Sequence, residues 1–293
     1  MRNKKQSNST FSRYYRLTKP GIIKGNLFTA VAGYLLAAGF DFAWLNLVGT
    51  LAGVAFVIGS GCVFNNVIDR DIDKKMARTK KRELVQGTIS VKVALAFAAA
   101  LGLAGFACLA LFANWLTVVI GLVGMLFYVV IYAIGKRASS LGTVIGSISG
   151  AIPPVAGYTA AAGQLDNAAF LLFLIMALWQ MPHFYAIAMY RLKDYSAAGI
   201  PVLPAVKGMR TTKIYILLYV AAYTVAAASL SFLDYTGFIY LVVMMALGIL
   251  WFLKGIQGFK TDDDAKWARM MFGYSLLVMT TWSVLICANE LLP

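Results

Sequence analysis

Residues 44–73 read WLNLVGTLAGVAFVIGSGCVFNNVIDRDID, an apolar run that ends in amides and carboxylates. Residues 44–64 carry no charged side chain, and a helix of this length can cross a hydrocarbon core about 30 Å thick. A chain inside lipid must satisfy its own backbone hydrogen bonds, so such a run is predicted to be helical. The stretch therefore predicts a transmembrane helix with a polar end.

Similar apolar runs recur along the whole chain. Hydrophobic residues make up 60% of it and charged residues only 13%, whereas a soluble domain has roughly 25% charged residues. We see none of the alternating segments of about ten residues that a membrane β-barrel requires. We therefore predict an all-α integral membrane protein, a single domain over residues 1–293, with about nine transmembrane helices around a central cavity. The predicted spans are 21–40, 44–64, 93–112, 115–134, 141–162, 168–190, 214–232, 237–253 and 270–288.

The basic residues lie on one side of this predicted bundle. All 26 lysines and arginines fall in, or at span ends adjoining, the N-terminal segment 1–20 and the segments near 65–92, 135–140, 191–213 and 254–269. The turns on the other side contain acidic residues and no basic ones. Basic loops mark the cytoplasmic side of a membrane protein, so we expect a cytoplasmic N-terminus and a C-terminus on the opposite side. The net charge of +14 then indicates contact with the lipid bilayer, and no nucleic-acid partner is expected.

The first candidate site lies where span two ends. Asn65, Asp69 and Asp73 are spaced by four residues, which places them on one stripe of a helix. Such oxygen side chains suit Mg²⁺, which prefers one or two carboxylates together with water and phosphate oxygens. The alternative is a solvated loop that only fixes topology. Uncharged amides at membrane depth are costly without a partner and favour a functional site. The predicted metal ligands are Asn65, Asp69 and Asp73, and the adjoining cations predicted to bind a diphosphate are Arg70, Lys74 and Arg78.

Two further charged patches lie on the same side. The end of span six carries Arg191, Lys193 and Asp194, a carboxylate between two cations. The loop after span four adds Lys136 and Arg137. Each patch is also what an ordinary positively charged cytoplasmic loop looks like. Together they offer further cations for a phosphate group.

Span six contains the single histidine of the chain, His183. It follows Pro182 within the run Trp179–Phe184. An ionisable residue inside a membrane span is a candidate for function, and imidazole is a common iron ligand. A histidine satisfied by core contacts is the alternative. The run Gly150–Tyr158 is similarly predicted to break span five.

In this order and spacing the patches resemble the intramembrane UbiA-type prenyltransferases, and within them the haem-farnesylating members. The resemblance extends over nearly the whole chain. Its residues are Leu17–Ile22, Gly61–Asn66, Asp69, Asp73, Met76, Arg78, Thr79, Gly150–Tyr158, Trp179–His183, Asp194 and Ile200–Pro204.

The resemblance implies Mg²⁺-dependent transfer of a farnesyl group from farnesyl diphosphate to a vinyl group of haem B, with addition of water, giving haem O for a terminal oxidase. It implies a cavity that opens to the cytoplasmic side of a bacterial inner membrane. A haem-modifying enzyme or the oxidase itself would receive the product. By this resemblance Asn65, Asp69 and Asp73 form a first metal–diphosphate motif, Asp194 belongs to a second, and His183 with Trp179 contacts haem. The single carboxylate of the second motif departs from the paired ones common in the superfamily.

The transfer chemistry needs aromatic faces that stabilise an allylic cation. Phe64, Tyr128 and Tyr132 are candidates. A related reaction, prenylation of a quinone precursor such as 4-hydroxybenzoate, remains open, but the Trp179–His183 patch favours haem. A secondary transporter is the alternative from another class, because proline-broken spans are typical of transporters.

Overall fold

The computed structural model describes residues 9–292, and all regular secondary structure within that range is helical. This confirms the all-α prediction. The α-helices are α1 Thr10–Leu17, α2 Pro20–Ala38, α3 Trp44–Ile68, α4 Arg70–Asp73, α5 Val91–Phe112, α6 Trp115–Leu126, α7 Tyr132–Ala138, α8 Gly142–Gly150, α9 Ile152–Ala162, α10 Asn167–Tyr190, α11 Leu192–Ala198, α12 Leu203–Phe232, α13 Phe238–Gln257 and α14 Asp264–Cys287. A π-helical turn, Phe127–Ile131, joins α6 to α7.

Eight helices among the described residues are long and apolar enough to cross a membrane, judged by length and composition. They are α2, α3, α5, the continuous α6–α7 segment, α10, α12, α13 and α14. The predicted fifth span, 141–162, consists instead of the two shorter helices α8 and α9, of 9 and 11 residues. They meet at Ala151, and α9 begins with Pro153 in its first turn, where a missing backbone N–H costs nothing. The predicted break is confirmed, and the count of nine spans stays a prediction.

Helices α2 and α9 pack backbone against backbone. A Cβ atom on Gly33 would stand 1.9 Å from the carbonyl oxygen of Pro154, and one on Gly157 would stand 1.9 Å from that of Ala30. Only glycine permits this approach, and small residues at such crossings are how helices associate in lipid. The crossing holds the two halves of the broken span against α2, and the cavity described below lies beside it.

The basic segments of the chain come together at one end of the bundle. Direct contacts join four of them in turn: Arg16 to Glu83 at 2.5 Å, Arg137 to Asp71 at 2.8 Å, and the apolar cluster of Ile72, Met76 and Ala198. Lys213 joins the fifth segment by pairing with Asp264 at 2.5 Å. We call this end of the molecule the basic end. Residues 1–8 of the predicted N-terminal segment lie outside the described residues.

Turns at the opposite end are joined by a separate set of contacts. A carboxylate oxygen of Glu290 accepts a hydrogen bond of 2.8 Å from the backbone N–H of Phe40. The Asn289 side-chain oxygen accepts one of 3.2 Å from Gly237. The predicted separation of charge therefore corresponds to the two ends of the helical bundle, and the side that faces the cytoplasm stays a prediction.

Candidate active site

A cavity of about 700 Å³ runs from the basic end into the apolar interior of the bundle. This volume lies in the range of small-molecule sites. Polar residues line its outer part: Lys19, Asn65, Asp69, Asp73, Arg78, Arg82, Lys136, Arg191 and Tyr195. Apolar and aromatic residues line its inner part: Val54, Val57, Leu109, Met125, Ile152, Trp179, Phe184, Phe272 and Met279. The cavity therefore offers one charged region and a large apolar one.

The predicted stripe at the end of α3 is present in the cavity wall. The backbone N–H of Asp69 donates to the carbonyl of Asn65 at 2.9 Å, and that of Asp73 donates to the carbonyl of Asp69 at 2.8 Å. These i to i−4 bonds keep the three residues on successive turns of helix. Their exposed fractions are only 3%, 7% and 2% in chain order. The helical spacing inferred from sequence is confirmed, and all three side chains line one cavity.

Each carboxylate of the stripe pairs with a cation from elsewhere in the chain. Lys136 lies 2.5 Å from the Oδ2 atom of Asp69, and Arg82 lies 2.5 Å from the Oδ2 atom of Asp73. A buried charge is very costly unless it is paired in this way. Lys136 and Arg82 therefore neutralise the charges of the two carboxylates.

Lys19 is a third cation at the stripe. Its Nζ atom donates to the Oδ1 atom of Asn65 at 3.1 Å. The residue adopts a left-handed backbone conformation, with φ of 53°, immediately before Pro20. Burial lowers the pKa of the Lys19 ammonium to about 8, against the opposing attraction of nearby acidic groups. The unusual backbone turns this side chain inward at the start of α2.

Two buried polar atoms of the stripe, the Oδ1 atom of Asp69 and the Nδ2 atom of Asn65, have no hydrogen-bond partner among the residues that the structure describes. Arg137 lies 3.7 Å from that Oδ1 atom, beyond hydrogen-bond distance. Buried polar groups are almost always paired, so a bound ligand would complete the site. Because an ammonium can only donate, the end of Asn65 beside Lys19 is its oxygen. The free end is a donor, which suits a phosphate oxygen.

The stripe suits a metal only in company with other oxygen ligands. Within residues 9–292 no cluster of three or more His, Cys, Asp or Glu side chains is arranged to hold a metal by itself. Two carboxylates with open space beside them match the preference of Mg²⁺ for few protein ligands plus phosphate and water. The residues present therefore fit a Mg²⁺ ion that arrives with a diphosphate.

The structure separates the predicted diphosphate-binding cations, and the predicted metal ligand Asp194, into two groups. Arg78, Lys136 and Arg191 line the cavity. Those not in its lining are Arg70, Lys74, Arg137, Lys193 and Asp194.

Several residues of the second group make their polar contacts outside the cavity. Arg70 donates to the carbonyl of Leu84 at 3.0 Å. The hydrogen bonds of Arg137 to Asp71 lower the pKa of that carboxyl to about 2. Asp194, the predicted second-motif ligand, lies on α11 with a carboxylate oxygen 3.8 Å from Arg191.

Sequence reasoning did not select Lys19 or Arg82, although both line the cavity and contact the stripe. Arg82 belongs to a run of cations in which no spacing rule distinguishes the member that folds back. Lys19 lies within the run Leu17–Ile22 that carries the family resemblance, which was the one sequence signal for it, but no role in the site was assigned to it. Neither residue stands at helical spacing from the stripe, so only the tertiary structure brings them together.

The wall formed by α10 is aromatic. The rings of Trp179 and His183 stack with centroids 4.7 Å apart, and Phe272 of α14 lies 4.8 Å from His183. The indole N–H of Trp179 donates to the carbonyl of Ser275 at 2.8 Å, and the Nδ1 atom of His183 lies 2.8 Å from the hydroxyl of the same serine. Both predicted haem-contacting residues therefore line the cavity on one face of α10 and are held by α14.

Two of the three aromatic candidates for cation stabilisation face the cavity. Tyr128 and Tyr132 line it and stack with centroids 5.9 Å apart. The Nζ atom of Lys136 lies 4.9 Å from the Tyr132 ring centre. Tyr128 lies in the π-helical turn, a feature that recurs at functional sites. Phe64 packs instead against the apolar cluster that contains Leu17.

Comparison of the sequence with known proteins gives one consistent result. The profile of the UbiA prenyltransferase family matches residues 26–283. The protoheme IX farnesyltransferases of Citrobacter koseri and of Escherichia coli are each 49% identical to this chain over 284 residues. That alignment covers 97% of this chain and 96% of each relative.

Solved structures share the arrangement of helices. A digeranylgeranylglyceryl phosphate synthase matches with a TM-score of 0.79 at 20% identity, over 95% of this chain and 98% of that one. A UbiA homolog from Archaeoglobus fulgidus, bound to DMAPP and Mg²⁺, matches with a TM-score of 0.72 at 16% identity, over 91% of this chain and 99% of that one. At these identities the likeness shows the fold.

Proposed function

We propose that this chain, which belongs to the UbiA prenyltransferase family, transfers a farnesyl group from farnesyl diphosphate to a vinyl group of haem B, with addition of water, and releases haem O and diphosphate. The observation that carries the proposal is one cavity with two different regions. It joins the stripe of Asn65, Asp69 and Asp73, with its paired cations, to an aromatic wall that contains the one histidine of the chain. Relatives named for this reaction, 49% identical over nearly their full length, support it.

The stripe is proposed to hold the diphosphate together with Mg²⁺. Asp69 and Asp73 would contribute carboxylate oxygens, and the free amide N–H group of Asn65 would contact a phosphate oxygen. Ligation of a metal by the Oδ1 atom of Asn65 would require Lys19 to move away. The homolog from Archaeoglobus fulgidus bound to DMAPP and Mg²⁺ supports this choice of metal. When bound, Mg²⁺ would neutralise negative charge that develops on the leaving diphosphate.

Cations of this chain would supply the rest of that neutralisation. Lys19, Arg82 and Lys136 already contact the stripe, and Arg78 and Arg191 line the same cavity. Donors fixed in a site with little water act more strongly than the same groups in solution. The predicted residues outside the lining are proposed to attract the anionic substrate towards the mouth: Arg70, Lys74, Arg137 and Lys193. Asp194 is proposed to belong to the second motif through its contact with Arg191 at the edge of the site, without contacting the metal directly.

The proposed reaction breaks and forms bonds without any oxidant or reductant. The bond between the diphosphate oxygen and the first farnesyl carbon breaks, and diphosphate leaves with the electron pair. Tyr128 and Tyr132 line the same cavity as the stripe, and Lys136, which pairs with Asp69, lies over the Tyr132 ring. The two rings would stabilise the allylic cation. The electron pair of the haem vinyl group forms the new carbon–carbon bond, and water then adds to the resulting cation with loss of a proton.

The apolar part of the cavity has the length that a farnesyl chain requires. Between Val54 and Asn65, both of which line the cavity, α3 rises about 16 Å. The twelve-carbon main chain of a farnesyl group, with its three double bonds, spans about 14 Å when extended, by ordinary covalent geometry. At the inner end, the Leu109 side chain lies 2.7 Å from a Cβ position on Gly53 and 3.3 Å from one on Gly121. We infer that Leu109 forms the floor of the farnesyl site.

We propose that the basic end faces the cytoplasm of a bacterium, with the protein in the inner membrane and the C-terminus on the far side. Positively charged loops predict this orientation. It would place the diphosphate at the cytoplasmic face, and the haem propionates would pair with the same loops. Haem O would then pass to a haem-modifying enzyme or to a terminal oxidase.

Turnover by the purified protein in detergent tests the proposed function. Haem B, farnesyl diphosphate and Mg²⁺ would be supplied together with 4-hydroxybenzoate as a competing acceptor, and products would be followed by mass and retention. The expected result is the conversion of one haem vinyl group to a hydroxyethylfarnesyl group, a gain of one farnesyl and one hydroxyl group, and a chelator should abolish it. If hydroxybenzoate is prenylated and haem is unchanged, the acceptor is the quinone precursor and not haem B.

A further inference from the structure

The hydroxyl group of Ser275, on α14, is fully buried and has two close polar neighbours. Its Oγ atom donates to the carbonyl oxygen of Phe272 at 2.6 Å. The same atom lies 2.8 Å from the Nδ1 atom of His183 on α10. The contact to His183 joins residues 92 positions apart in the chain. These two contacts together determine where the protons lie.

A backbone carbonyl can accept a hydrogen bond but cannot donate one. The single hydroxyl proton of Ser275 is therefore used in the bond to Phe272. Towards His183 the Oγ atom can then only accept, so the proton of that bond belongs to the Nδ1 atom of the imidazole. The hydrogen-bond network thus assigns the neutral ring a tautomer whose Nε2 atom carries a free lone pair.

The Nε2 atom is the available nitrogen of His183. It has no hydrogen-bond partner among residues 9–292 and is not among the polar atoms sealed from solvent. The residue lines the cavity, and the rings of Trp179, Phe184 and Phe272 lie 4.7, 5.2 and 4.8 Å from the imidazole. Flat apolar rings around one exposed nitrogen lone pair match the chemistry of a metalloporphyrin.

We propose that Ser275 is a positioning residue that fixes the tautomer of His183, so that the Nε2 atom ligates the iron of the haem substrate. Histidine ligands in metal sites commonly donate their other ring N–H to a fixed acceptor, which raises ligand basicity and sets ring orientation. Ser275 also accepts the indole hydrogen bond of Trp179 through its backbone carbonyl. One residue of α14 thus holds both side chains. Axial ligation would fix the haem plane relative to α10. The inference rests on the proposed function, because it assumes haem as the substrate.

A purely structural role is the rival explanation, in which Ser275 only ties α10 to α14. Ser283 provides the matched control, since it lies on the same helix, is also fully buried, and its hydroxyl has no hydrogen-bond partner among the described residues. A structural role predicts that loss of either hydroxyl leaves the spectrum of bound haem unchanged. A positioning role predicts a change for Ser275→Ala alone.

The experiment titrates haem into purified protein in detergent and records its absorption and electron paramagnetic resonance spectra. The wild type and Ser283→Ala are expected to give a spectrum of histidine-ligated iron. Ser275→Ala is expected to bind haem about tenfold more weakly, with a weakened ligand signature, as is typical when the outer partner of a ligand is lost. Farnesyl diphosphate binding should be retained in all variants.

His183→Ala gives a second test that does not depend on how Ser275→Ala folds. It should lose the histidine signature, and added free imidazole should restore it. Suppose the wild type converts haem, but neither Ser275→Ala nor His183→Ala changes the spectrum of bound haem. That result would overturn the inference and leave the proposed function standing. Wild-type protein that neither binds nor converts haem would overturn both.

Discussion

The end of α3 and the middle of α10 face the same cavity with opposite chemistry. At the end of α3, Asp69 and Asp73 are each held by a cation that comes from a different segment. On α10, Trp179 and His183 are held by stacked rings and by uncharged hydrogen bonds to α14. Burying charge requires partners from several segments, whereas an aromatic wall needs few polar contacts. The difference indicates that one region serves an anionic leaving group and the other a flat apolar acceptor.

The largest expected effect is on the charged region. Asp69→Asn and Asp73→Asn should each lower kcat by about 10²–10³-fold, the range found when an electrostatic group is removed from an active site. Each change removes one carboxylate charge and leaves Lys136 or Arg82 without its anionic partner. Steady-state turnover in detergent, with monodispersity as a check on folding, would measure this.

Asp71→Asn is the matched control for both variants. Asp71 lies on α4 with Asp73, two residues after Asp69, but its side chain is 62% exposed and pairs with Arg137 outside the cavity lining. Its loss should change turnover by less than about threefold, because an exposed ion pair contributes little. Full activity in Asp69→Asn and Asp73→Asn would remove the metal–diphosphate assignment. Equal damage from Asp71→Asn would indicate an effect of loop charge in general.

The next largest effect is expected at His183 and should concern only one of the two substrates. His183→Ala should raise the KM for haem by about 10–100-fold, in line with lost metal-ligand interactions, and change the affinity for farnesyl diphosphate little. The imidazole lies in the aromatic wall and does not contact the stripe. Steady-state kinetics with each substrate varied in turn would measure both. Similar losses for the two substrates would assign His183 to packing.

A third effect concerns the floor of the apolar region. Leu109→Ala should raise the preference for geranylgeranyl diphosphate over farnesyl diphosphate by about tenfold, as expected when a hydrophobic pocket gains space. Leu109 is buried against Gly53 and Gly121 at the inner end of the cavity. Leu103→Ala, on the same helix but 75% exposed, is the control. Competition between the two diphosphates would measure the ratio, and an unchanged ratio would move the floor elsewhere.

The smallest effect among the predicted ligands is expected at Asp194. Because its carboxylate lies outside the cavity lining, near Arg191, Asp194→Asn should lower turnover by less than about tenfold. The same assay as for Asp69→Asn provides the comparison. A loss as large as that of Asp69→Asn would place Asp194 at the metal and would mean that the segment 191–213 moves when substrate binds.

Local spacing explains why much of this site could be predicted from sequence. Asn65, Asp69 and Asp73 are four residues apart, and helical geometry alone puts them on one stripe. The prolines at 153 and 154 likewise predict the break in the fifth span. The other transmembrane helices could be predicted from the lengths of the apolar runs, because the thickness of the membrane fixes the length of a crossing helix.

Contacts distant in sequence explain what was missed. Lys19 lies 46 residues from Asn65, and Ser275 lies 92 from His183. No periodicity in the chain links such pairs, because they meet only once helices have packed. For the same reason sequence could not tell that Phe64 turns towards an apolar cluster and that Asp194 lies outside the cavity lining.

Measuring the affinity of each substrate for variants of both regions tests whether the two regions of one cavity serve two different substrates. Farnesyl diphosphate with Mg²⁺ and haem would each be titrated into the wild type, Asp69→Asn and His183→Ala. We expect Asp69→Asn to lose affinity for farnesyl diphosphate and keep haem binding, and His183→Ala to do the reverse. If both variants lose both ligands together, or neither variant loses either ligand, the division of the cavity is contradicted.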